Sequence, residues 1–160
     1  MRFGRRTAII FFGLWLWLVG PGLAPLALAQ ALWSYSSDGS EVRDLRTGLT
    51  WRRCSEGQVW DSGSCAGTAS GLTHENALAL AKTKAGWRLP NAKELASLLD
   101  LRQNNPAIDS SAFPSTPSEL FWTSSPVVGN SAFARFVSFG EGGAVSHARR
   151  TSYYRVRLVK

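Results

Sequence analysis

Apolar and polar positions keep three different rhythms along the 160 residues, and each predicts a different kind of element. The first is no rhythm at all: "TAIIFFGLWLWLVG", residues 7–20, is almost unbroken apolar sequence. Arg2, Arg5 and Arg6 precede it, and "PGLAP" and "LALAQA" follow. Basic, apolar and small-residue zones in that order predict a secretory signal peptide over residues 1–29, with Ala27 and Ala29 ahead of a cut at Ala29/Gln30. The alternative is a retained anchor, because a membrane span needs ~17–25 apolar residues. Gly20, Pro21, Gly22 and Pro25 interrupt the run, and no cysteine follows the cut to take a lipid. The expected product is an exported chain, residues 30–160, periplasmic or secreted and with no stable membrane insertion after cleavage.

Short period-two stretches come next. "QALWSYSSDGS" reads as an extended arm or first strand, and Val42 to Leu45 with Leu49 to Cys54 predict a hairpin turning at "RTG", where Gly48 supplies a positive φ. A 3.6-residue period then takes over. Ala77, Leu78, Ala81 and Ala85 predict a helix from about His74 to Lys84, capped by Thr73 and stopped by Gly86. Asn91 and Glu94, three apart, predict a capping box for a second helix whose apolar stripe is Ala92, Leu95, Leu98 and Leu99. Residues 102–119 form a long connection with three prolines, anchored by Ile108 and Phe113. Strands return in "LFWTSS", "AFARFVSF" and "YYRVRLV", with a tight turn at "GEGG" and a weaker strand near "AVSHA". In the last of these, alternation puts Arg155 and Arg157 on one face and Tyr154, Val156 and Leu158 on the other. The fold class is α+β, two helices packed on a small, mainly antiparallel sheet.

Charge changes this picture less than it first suggests. The full chain carries 18 Lys+Arg against 11 Asp+Glu, but losing the three leader arginines reduces the net charge from +7 to +4. Nucleic acid is a poor expectation for an exported protein of that charge. Cys54 and Cys65 are expected to close a structural disulfide, since disulfides persist outside the cytoplasm and metal sites use tighter pairs with further ligands. No HExxH, nucleophile elbow, phosphate-binding glycine loop or Cys-x-x-Cys is present. The expectation is a protein that is not an enzyme and carries no metal or cofactor. "NNPAID", residues 104–109, offers oxygen ligands for a hard cation, but reads first as a proline turn with side-chain caps.

Several segments in order carry a family resemblance: Asp44, "TGLTW" ending at Trp51, Cys54, Gly57-Gln58 with Trp60, Cys65, "GWRLPNAKEL" with "SLLD", "NNPAID", "FWTSSP" and the terminal "YYRVRLV". From about Val42 to Lys160 the chain resembles the Legionella collagen-like protein C-terminal domain family. The resemblance implies an exported or surface module whose name-giving member acts in adhesion to polyanionic glycans. "WRLP" before a helix also resembles the wider C-type-lectin-like group, which includes formylglycine-generating enzymes, and so implies a C-type-lectin-like fold. Those enzymes use a cysteine pair and copper towards the carboxyl end of a larger domain, whereas Cys54 and Cys65 precede the joint.

On this reading Trp87, Arg88 and Pro90 form a structural joint, with Trp87 in the core and Arg88 in a buried or half-buried ion pair to Glu94 or Asp100. Recognition falls to a basic face made by Arg149, Arg150, Arg155, Arg157 and Lys160, whose guanidinium groups suit sulfate or carboxylate. The expected function is a non-enzymatic recognition module for an anionic polysaccharide or a protein surface, compatible with a homo-oligomer. The alternative is an assembly subunit of an envelope or pilus-like complex.

Overall fold

The computed structural model describes residues 32–140 and 142–160. The expected leader and its cut lie outside the described residues. Ten elements follow in order: β1 (Trp33–Tyr35), β2 (Glu41–Asp44), β3 (Thr50–Arg52), β4 (Val59–Asp61), β5 (Ser64–Ala66), α1 (His74–Thr83), α2 (Ala92–Ala96), β6 (Leu120–Pro126), β7 (Phe133–Ser138) and β8 (Ala144–Arg149). They make a small α+β fold with three antiparallel sheets, β1-β2-β3, β4-β5 and β6-β7-β8, in place of the single sheet expected.

The local signals hold where they are strongest. Gly48 turns β2 into β3 at φ 74°, and the buried Asp44 carboxylate accepts the Arg46 N–H at 2.8 Å. Thr73 caps α1 through its hydroxyl, and α2 opens on the full reciprocal box between Asn91 and Glu94. The disulfide joins Cys54 to Cys65, but its loop is not irregular: β4 and β5 pair inside it, with Trp60 opposite Cys65. The segment near "AVSHA" is stronger than expected, since all six residues of β8 pair with β7. Residues 102–119 are anchored as read, with Ile108 and Phe113 fully buried. The Asp109 carboxylate accepts from Ser111, Ala112 and the Trp33 indole, so "NNPAID" is a capped turn.

The largest departure is the terminal segment. Residues 153–159 form no ladder strand. They make single bridges instead, Tyr154 to Leu72, Arg155 to Phe121, and Val159 to both Trp51 and Arg88. Val156, Arg157, Leu158 and Val159 are buried in succession. Residues 156–159, with neighbours on every side, have no solvent face, so period two carries no inside and outside there. Val159 joins the core of Val42, Trp51, Leu95, Phe113 and Phe121, while Val156 and Leu158 join a second core with Ala77, Leu89, Trp122 and Ala134.

Trp87 corrects a second expectation. It is half-buried at the edge of that second core, and Arg52 and Lys160 lie over its ring at 5.0 and 4.5 Å. A tryptophan so placed gains from cation–π attraction without full burial. Arg88 does pair with Glu94, at 2.7 and 2.8 Å, but it stays exposed where burial or half-burial was expected, and Pro90 is buried. That hydrogen-bonded pair raises the pKa of Arg88 and lowers that of Glu94.

His74, at the start of α1, ties the second core together. It is buried edge-on against Trp122, with Nε2 2.9 Å from the Thr123 carbonyl and Nδ1 2.9 Å from the Arg150 guanidinium. Only the neutral ring satisfies both: Nε2–H donates to the carbonyl and Nδ1 accepts from Arg150. Burial, with the Arg150 charge adding, holds its pKa below the ordinary 6.5. The unfolded chain therefore takes up a proton that the fold resists, and stability is lost as pH falls below about 6.5 towards the folded value. Urea titrations are expected to show this loss above the carboxylate range, and His74→Gln is expected to flatten it.

Candidate functional site

The five cations expected to form one basic face are dispersed. Arg157 is completely buried and is not a surface residue at all. It donates to the carbonyls of Arg52 and Arg53 and to the hydroxyls of Ser55 and Thr116, and it lies over Phe113 at 4.8 Å. Arg155 grips Glu119 with two hydrogen bonds, 2.6 and 3.0 Å, and also donates to the Ala69 carbonyl. The shared hydrogen bonds hold the Glu119 carboxyl below, and the Arg155 guanidinium above, their ordinary values. Lys160 pairs with Glu41 at 2.8 Å, and Arg150 serves His74. Arg149 alone of the five is exposed without an ion pair among the described residues, its guanidinium 5.5 Å above Phe133.

A different basic surface does assemble around Arg149. Phe133 stands opposite Arg149 in the β7–β8 register and Arg135 opposite His147, so all four belong to one face of the sheet. Arg135 and His147 are exposed. Val137, on the same face, is buried in the core that Leu95 of α2 shares. This brings Lys93 of α2 beside Arg135 and Val145, in an open groove of about 480 Å³. Lys93, Arg135 and Arg149 make no ion pair among the described residues. Lys93 and Arg135 escape sequence reading because they become neighbours only through helix-on-sheet packing. The one available signal was Arg135 itself, a cation set between Ala134 and Phe136 in a strand that is apolar apart from its last residue, Ser138.

The Lcl C-terminal domain family matches the chain over residues 40–160. The chain belongs to this family. Comparison with curated proteins and with solved structures gives no match. The match leaves β1 outside and takes in every other element. Within this Lcl C-terminal domain the residues that carried the resemblance are chiefly frame: Asp44 caps a turn, Trp51 is fully buried, Cys54 and Cys65 are bonded, and Arg88 is locked to Glu94. Among the described residues of the Lcl C-terminal domain, no three His, Cys, Asp or Glu side chains group so as to hold a metal ion, and no helix is long and apolar enough to cross a membrane.

Proposed function

We propose that this Lcl C-terminal domain is a non-enzymatic recognition module that works outside the cytoplasm and engages anionic glycans through the β7–β8 face. One observation carries the reading: Lys93, Arg135 and Arg149 gather with His147 on one surface, with no carboxylate paired to any of the three cations among the described residues. Guanidinium groups offer sulfate or carboxylate two parallel hydrogen bonds, and Phe133 beneath Arg149 limits the freedom lost on binding. A C-type-lectin-like arrangement belongs to the same proposal. It is supported by the capped joint at Arg88–Glu94 and by Thr50 and Lys160, which exchange two backbone hydrogen bonds of 2.9 Å.

Heparin-affinity measurements over a salt series test this. Wild-type affinity is expected to fall steeply with ionic strength. Changing Lys93, Arg135 and Arg149 together to Ser is expected to lower it at least about tenfold, on the scale of charge-assisted hydrogen bonds lost. Changing Arg43, Lys82 and Arg102 to Ser removes equal charge elsewhere and is expected to cost much less. Equal loss in both triple variants would reject the face.

A second reading, an assembly subunit, is favoured by β8, which pairs on one side only and exposes Ala144, Val145, Ser146 and His147. Unpaired edges template strand addition. Self-association that persists at high salt, without heparin binding, would select it.

A further inference from the structure

A cleft of about 440 Å³ lies beside the disulfide, lined by Glu41 of β2, Arg52 of β3, Glu56, Lys84, and Val59 and Trp60 of β4. The group that asks for an explanation is Glu56. Its side chain is 9% exposed, yet its nearest cations stand off, Arg52 Nη1 at 3.7 Å and Lys84 Nζ at 4.0 Å. Both distances exceed the ~3.2 Å reach of an N–H···O hydrogen bond. No other described side chain pairs with this carboxylate, whereas the Glu56 backbone is fully used, its N–H given to Val156 and its carbonyl accepting from Ser70. The carboxylate faces the cleft, so a donor arriving through that opening can satisfy it.

The gaps have a chemical meaning. An oxygen placed between Glu56 and either cation would accept from the cation and donate to the carboxylate. Only a water or a hydroxyl does both. The charges in the cleft alternate: Glu41 and Glu56 oppose an anion, while Arg52 and Lys84 oppose a metal ion. A neutral group with adjacent hydroxyls meets neither objection, since one hydroxyl bridges Glu56 and Arg52 while its neighbour accepts from Lys84.

The apolar wall suits the C–H groups of such a ligand. Val59 is 69% exposed. The Trp60 ring is fixed by Arg53 at 4.2 Å and by its indole N–H, donated to the Asp38 carbonyl at 2.8 Å. The backbone beside Glu56 is fixed as well. Gly57 has φ 93°, and a Cβ there would come within 2.3 Å of the Ser70 hydroxyl oxygen. A wall held in place before binding loses little entropy when a ligand arrives.

We infer that this cleft is a second binding site, for the vicinal hydroxyl groups of an uncharged pyranose sugar. It shares no residue with the β7–β8 face and stands independently of it. The test is a titration of the ¹⁵N-labelled protein with methyl glycosides of glucose, galactose and mannose, and with sorbitol, read from amide shifts. At least one glycoside is expected to move the Glu56, Gln58 and Lys84 amides saturably, with an affinity that changes less than about twofold on adding salt. Glu56→Gln and Lys84→Met are each expected to weaken that binding about tenfold or more, with heparin affinity unchanged for Glu56→Gln. The proposal fails if no glycoside moves these amides saturably, or if both variants bind as the wild type does. It also fails if sorbitol binds equally well, or if calcium chloride or sodium sulfate saturates the same amides.

Discussion

Arg157→Ala is expected to lower the unfolding free energy by about 4 kcal/mol, a large part of the ~5–15 kcal/mol that holds a domain together. The reason lies in what the side chain leaves behind. Its Nη1 donates to two carbonyls, Arg52 and Arg53, and its Nη2 to two hydroxyls, Ser55 and Thr116. These oxygens belong to β3, the residues after it and the long loop, and truncation leaves them in the dark with a cavity beside Phe113 and Phe121. Burial pulls the Arg157 pKa down to about 9, so the group is still charged at neutral pH.

Replacing a buried ion pair by apolar residues is often harmless because both partners go together. Here the acceptors are main-chain and hydroxyl oxygens that stay, so Arg157→Met is expected to be nearly as damaging as alanine. Arg157→Lys is expected to recover part of the loss, because an ammonium reaches some of these oxygens but lacks the planar fork. Denaturant unfolding followed by tryptophan fluorescence ranks the three. A methionine variant as stable as the wild type would show that the guanidinium fills space and nothing more.

Cys54→Ser with Cys65→Ser is expected to cost about 3 kcal/mol, the loop-closure entropy of a bridge between residues 11 apart. The effect is also expected to be local. Trp60 pairs with Cys65 and covers the Arg53 guanidinium, whose other contacts are the Tyr35 ring and the carbonyls of Gly39, Ser111 and Ala112. Loosening the hairpin unseats a junction of three segments. Limited proteolysis is expected to cut first within residues 55–64 in the unbridged protein, and hydrogen exchange there to rise well before global unfolding. Uniform protection in both forms would contradict this.

How much of this could be seen in the chain depends on how far apart the partners lie. The Asn91–Glu94 box, the Thr73 cap and the Gly48 turn were legible because cause and effect sit within a few residues. The Arg88–Glu94 pair was legible for the same reason. Arg157 was not, because alternation assumes a sheet with one wet side and residues 156–159 have none. Trp87 reads as core from its hydrophobicity, yet Arg52 and Lys160, distant in sequence, cap its ring and make half-burial sufficient. The β4–β5 hairpin is hidden because strands of three residues flanked by Gly and Ser resemble a loop. The basic groove depends on strand register and on α2 lying against the sheet, neither of which any local window contains.

Residues 154–160 exchange main-chain hydrogen bonds with Leu72, Arg88, Leu120, Trp122, Thr50, Arg52 and Glu56. Every one of those partners is synthesised earlier. A chain without residues 154–160 keeps its hairpins, its helices and other ties between them, such as Ser124 to Pro90 and Ala107 to Phe139, but loses all the bonds of this stretch at once. Losing this one stretch is therefore expected to open the fold in several places together.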